Sequence, residues 1–172
     1  MNTLRLRLMY REALQRLEDA EVLYRASSVG APMDSVHFLQ LLGLELLLKL
    51  AYEVALQRKA PSNHKYHEIF QDLPATMKNT LLELAEKRIG PSSLTNDALL
   101  VLKEWGKNFI DLRYPYEQYE SFSEDEYSEL GKKWLENGAS IEEATFKYYP
   151  DELFGILHAL RIVTDAMANK TF

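Results

Sequence analysis

The sequence predicts an all-α protein, a single domain over 1–172 built as a five-helix, up-and-down bundle with one long excursion at about 114–149 before the last helix. Three observations lead there. Apolar residues recur at spacings of three and four along five segments, which gathers them on one face of a helix. No segment alternates apolar and polar residues over the length of a strand. The composition, 47% hydrophobic and 27% charged over 172 residues, is that of a globular chain able to bury a core without metal or disulfide help.

The first helix collects Leu6, Tyr10, Ala13, Leu14, Leu17, Ala20 and Tyr24 on one face and ends near "SSVGAP", where Gly30 and Pro32 punctuate the chain. Asp34 or Ser35 can cap a second helix whose main stripe is Val36, Leu39, Gly43, Leu46, Leu47, Leu50 and Val54. This is the most apolar segment. Glu45, Lys49 and Glu53 inside "VHFLQLLGLELLLKLAYEVAL" mark it as a buried core helix rather than a membrane span.

After the polar break "QRKAPSNHK", Tyr66, Ile69, Phe70 and Leu73 start a third helix. Pro74 interrupts or kinks it before "ATMKNTLLELAEKRI" resumes and "GPSS" ends it. Thr95 or Asn96 can cap a fourth helix bearing Leu99, Leu102, Trp105, Phe109 and Leu112. Pro115 biases Tyr114 away from helical geometry, so this helix stops at or just before "RYP". Arg113 therefore stands near a helix C-terminus, where a cation suits the dipole. Ser123 and Glu126 have capping-box spacing, and "SEDEYSELGKKWLEN" reads as a short surface helix closed by Gly138. Pro150 and Asp151 open the last helix, with Leu153, Ile156, Leu157, Leu160, Val163 and Met167 on its apolar side.

Composition also removes whole classes of function. Without cysteine there are no disulfides, thiolate metal sites or cysteine nucleophiles, which fits a reducing cytoplasm; no secretion signal is visible, so a cytoplasmic location is expected. The net charge is −6, and residues 92–172 carry it, with 8 Lys+Arg against 15 Asp+Glu. Such a chain has no general footprint for duplex DNA, and any RNA contact has to be local. No membrane partner is expected. Walker, dinucleotide-binding, zinc-protease and serine-hydrolase motifs are absent.

The order of the helices, with "LLGLELLLKLAYE" in the second, "HKYHEIFQDLP" opening the third and "DLRYPYE" closing the fourth, resembles the HEPN superfamily, small helical-bundle proteins of prokaryotic toxin–antitoxin and defence systems. The likeness spans the chain except Glu117–Tyr149, which is longer than the loop usual there. It implies a homodimer formed through the central helices. In many members it also implies a metal-independent endoribonuclease site across the dimer axis, where an arginine at the end of the fourth helix is followed after four to six residues by a histidine. Cleaving RNA through its own 2′-hydroxyl needs a proton-exchanging group, for which histidine is suited, and a cation to stabilise the phosphorane. Arg113 holds the arginine position, but Gln118, Tyr119 and Glu120 stand where the histidine is due.

The expectation is therefore a non-catalytic, homodimeric binding or regulatory module that takes a nucleotide or RNA end near Arg113, without metal or cofactor. One alternative is a metal-independent endoribonuclease whose base comes from elsewhere, with Arg113 and His67 as catalytic candidates or a residue of a second subunit. The other is a structural protein–protein adaptor that uses the acidic excursion.

The ligand-binding candidates are Arg113, Tyr114, Tyr116, Glu117, His67, Glu45 and Lys49. The tyrosines of "RYPYEQY" can stack on bases while Arg113 contacts phosphate, or can serve as packing aromatics with Arg113 paired to Glu117. Glu45 and Lys49 have the i,i+4 spacing of an ion pair, which Arg113 or a dimer mate can also enter. His64 and His67, three apart, can face one ligand; otherwise His64 is exposed and His67 packs or hydrogen-bonds. Arg58 and His64 reproduce the arginine–histidine spacing in the loop before the third helix, away from the expected place, and read as coincidence.

Overall fold

The computed structural model describes residues 2–28 and 33–171. Within them the chain is all-helical, with eight α-helices and two 3-10 turns against the five helices that periodicity predicts. Two breaks account for most of the difference. Pro74 has no amide hydrogen to donate and Leu73 before it is extended, so α3 (Tyr66–Asp72) and α4 (Ala75–Ile89) are separate helices. A single helical turn, α5 (Ser93–Asn96), precedes α6 (Ala98–Asp111). Thr95 and Asn96 lie inside that turn, and Asp97 caps α6 instead, its Oδ1 accepting from the Leu100 amide at 2.9 Å.

Helix α2 (Asp34–Leu56) is the centre of the bundle, touched by α1 (Thr3–Ala26), α3, α6 and α8 (Pro150–Thr171). Its buried residues extend all round, from Val36 and Leu41 through Leu44, Leu47 and Leu48 to Ala51 and Tyr52. The one-sided stripe is therefore too narrow, and Leu39, Leu46 and Val54 are only half-buried. Asp34 does not cap α2; its carboxylate accepts the Tyr148 hydroxyl. On α1, Leu6, Ala13 and Ala20 are buried as expected, but Tyr24 is exposed because no described element packs over the last turn. Gly30 and Pro32 lie outside the described residues. No helix among the described residues is long and apolar enough to cross a membrane.

The excursion opens with a 3-10 turn (Pro115–Tyr119), continues into α7 (Glu124–Glu136) behind the expected Ser123–Glu126 capping box, and returns through a second 3-10 turn (Ile141–Glu143). Its return is bolted to the bundle by three side chains. Trp105 Nε1 donates to Tyr148 O and Asn108 Nδ2 to Lys147 O, both at 2.9 Å, while the Tyr148 hydroxyl reaches Asp34. Tyr149 then turns the chain into α8 with φ of 46°, a left-handed conformation uncommon for a bulky residue and held here by burial.

The loop before α3 lies directly on α6. A Cβ at Gly106 would sit 2.5 Å from the carbonyl oxygen of His64, so only glycine permits this approach. Gly106→Ala is expected to destabilise the fold by about 1–3 kcal/mol through overpacking, seen as a lower urea midpoint. Beside the bolted return, His37 is buried with its ring 4.4 Å from that of Tyr148. Burial lowers its pKa to about 4 from the ordinary 6.5, so the folded state keeps it neutral. The associated stability is complete above pH 6.5 and is lost as pH falls towards 4, amounting to about 3 kcal/mol. Urea unfolding of His37→Phe should show that much less loss between pH 7 and 4.

Candidate functional site

Three separate stretches of chain meet around Glu45. Helix α2 supplies Glu45 and, one turn on, Lys49; the loop before α3 supplies His64 and runs into the first residue of α3, Tyr66; and the end of α6 supplies Phe109 and, just beyond it, Arg113. Glu45 projects from an apolar helix with its side chain only 9% exposed, so its charge demands partners. It has three. Lys49 Nζ donates to Oε1 at 2.7 Å, His64 Nδ1 lies 2.8 Å from Oε2, and the Tyr66 hydroxyl donates to Oε2 at 3.0 Å.

This arrangement fixes the imidazole. With Nδ1–H donated to the carboxylate, a neutral His64 presents its Nε2 lone pair, and the nearest cation to that nitrogen is Arg113, whose Nη2 is 3.5 Å away. That distance is the outer limit of a hydrogen bond, so the guanidinium is only loosely engaged. Phe109 is the shared platform. Its ring centroid is 4.7 Å from that of His64, 5.1 Å from that of Phe38, and 4.8 Å from Cζ of Arg113. Burial, then the Glu45 charge and hydrogen bond, hold the Tyr66 pKa well above its ordinary value, with Arg113 opposing; Tyr66 is a hydrogen-bond donor here, not a base. With neutral His64, one carboxylate and two cations leave the cluster a single net positive charge facing solvent.

The other expected site residues fall in different places. Tyr114 and Tyr116 follow Arg113 in the chain, 56% and 64% exposed, with their rings edge-on at 6.2 Å. Glu117 is exposed, and among the described residues no ion pair joins it to Arg113. His67 has a buried Nδ1 without a hydrogen-bond partner and is packed, as one of the two readings expected, whereas His64 is not simply exposed but engaged at the polar cluster. The reason is register. Tyr66 opens α3 pointing at Glu45, which leaves His64 in the loop beside it and carries His67 round the helix. Arg58 is not part of the cluster; it pairs with Asp72 at 3.1 Å and lies over the Tyr52 ring.

The sequence named His64 only with His67 or Arg58 and did not pair it with Arg113, because the expected histidine follows that arginine along the chain, whereas this one precedes it by 49 residues. Gly106 was the available signal. A glycine in the apolar stripe of a long helix marks a close backbone approach, and what approaches is the carbonyl of His64.

Among the described residues no group of three or more His, Asp or Glu is placed to hold a metal ion. The cluster sets an imidazole nitrogen beside a loosely engaged guanidinium. Comparison with protein-family models, with curated proteins and with solved structures returned no match.

Removing the hub carboxylate strands its partners. Glu45→Ala leaves the Lys49 ammonium, 12% exposed, without its counter-charge and is expected to cost about 3–5 kcal/mol in urea unfolding. The double change Glu45→Leu, Lys49→Met should recover most of that, and Tyr66→Phe, which removes one donor to the buried carboxylate, should cost about 1.5–3 kcal/mol.

Proposed function

We propose that the chain binds single-stranded RNA at Tyr114, Tyr116 and Arg113 and cleaves it without a metal ion, using His64 as the proton-transfer group. The observation that carries this is the approach of His64 Nε2 to Arg113 with Glu45 on the opposite ring nitrogen. His64 accepts the 2′-hydroxyl proton while O2′ attacks phosphorus and the bond to O5′ breaks. The products are a 2′,3′-cyclic phosphate and a 5′-hydroxyl, to which the imidazolium returns the proton. Glu45 favours the imidazolium that forms in between, and Arg113 stabilises the extra charge on the phosphorane. The exposed tyrosine faces suit unpaired bases, and Lys49 offsets the Glu45 charge that would otherwise repel phosphate.

The HEPN resemblance, with its prokaryotic toxin–antitoxin or defence setting, belongs to the same proposal, as does a homodimer. Leu4 and Leu8 on α1 are 61% and 45% exposed, which supports association through apolar surface. In this scheme the histidine missing after Arg113 is replaced in space by one from the loop before α3. A non-catalytic module binding an RNA end is the second reading, favoured by the tyrosines alone.

Incubation of the purified chain with a panel of single-stranded RNAs in EDTA decides between them. Cleavage to cyclic-phosphate ends is expected, reduced by about 10²-fold or more in His64→Ala and in Arg113→Ala. RNA binding without cleavage, lost on replacing Arg113 and Tyr116 together, would select the binding module. Neither binding nor cleavage would sink both.

A further inference from the structure

Helix α7 presents a physical problem that the Arg113 cluster does not touch. It starts at a complete capping box and places Tyr127, Leu130 and Trp134 at helical spacing, yet none of its residues is buried. Its apolar side instead lines a cavity of about 690 Å³, bounded opposite by residues of the segment 139–150. An amphipathic helix gains stability by burying such a face. Here that face surrounds space.

The wall is aromatic. Tyr119, Tyr127, Trp134, Phe146 and Tyr148 all contribute to it. Phe146 and Tyr148 are stacked, with centroids 6.2 Å apart and planes inclined by 15°, and Tyr119 meets Tyr127 edge-on at 5.0 Å. Two polar tips are already engaged outside the cavity, because Trp134 Nε1 donates to Ser140 O at 2.7 Å and the Tyr148 hydroxyl donates to Asp34. Those rings therefore offer π-surface rather than hydrogen bonds. The volume lies within the range of small-molecule sites, about 300–1,000 Å³.

Charge narrows the class of ligand. Glu143 is the one charged residue of the wall among the described residues. Residues 114–149 contain 9 Asp+Glu against 3 Lys, which accounts for the chain's whole net charge of −6. Aromatic faces attract cations, and an anion would meet the Glu143 carboxylate on the wall within a segment of net negative charge. We infer that the cavity between α7 and residues 139–150 is a binding site for a planar organic cation, a fused-ring aromatic amine that stacks on these rings and pairs with Glu143.

Proflavine, a planar three-ring cation, tests this on the full chain freed of nucleic acid, read by dye anisotropy and by quenching of tryptophan emission. Of the two tryptophans, Trp134 lines the cavity while Trp105 is fully buried in the core. Saturable binding is expected, with 2-naphthalenesulfonate, planar but anionic, at least about tenfold weaker. Gly131 lies on the α7 wall, and a Cβ there meets nothing within 4 Å, so Gly131→Leu fills the cavity while favouring the helix. It should weaken proflavine at least about tenfold with helix content unchanged by circular dichroism. Glu143→Gln should weaken it about threefold. Arg113→Ala, outside the wall, should leave it unaltered. Equal affinity for dye and sulfonate would overturn the cation, undiminished binding by Gly131→Leu would overturn the cavity, and loss on Arg113→Ala would move the dye to the other cluster and overturn the assignment.

Discussion

Two buried glutamates on a mostly apolar central helix set the constraint on which the rest of the structure depends. Glu45 and Glu53 both project from α2 into the bundle, with residue exposures of 7% and 3%. A buried carboxylate is tolerated only when its oxygens are met by donors. Glu53 is met by Arg5 of α1, through Nη2 at 2.8 Å and Nε at 3.3 Å, and by the backbone amide of Ala60 at 3.2 Å. Desolvation pushes its pKa up, but these donors and the Arg5 charge outweigh it, and the group is held below the usual carboxylate range. Glu45 is met by Lys49, His64 and Tyr66.

The loop joining α2 to α3 is thus tied at both ends by the helix it leaves, at Ala60 to Glu53 and at His64 to Glu45. Its path then brings the His64 carbonyl down onto Gly106 of α6. That contact is why the α6 terminus, carrying Phe109 and Arg113, meets an imidazole at all. The cluster follows from satisfying buried charge. A half-satisfied carboxylate would cost stability, so the geometry that brings His64 to Arg113 is one that folding itself requires.

The excursion follows a different logic. It is anchored where it returns, by Trp105, Asn108 and Asp34, all within or beside buried surface. Helix α7 between those anchors stands on its own capping box and its own amphipathic pattern, without the burial that stabilises the other long helices. The net negative charge of the chain is gathered on this segment.

Much of this was legible from residue order. The periodicity of α1, α2, α6 and α8, the capping box at Ser123, the stop before Pro115 and the Glu45–Lys49 pair all depend on neighbours within about one helical turn, and local spacing reports them. The chain by itself therefore determined the helical class, the break at Pro74 and the place of Arg113 at a helix end. Only the tertiary structure decided that His64 rather than His67 faces Arg113, and that the apolar side of α7 lines a cavity. Those depend on which helices cross and which buried charges must find donors across 19 and 49 residues of chain. No spacing rule along one helix carries that information.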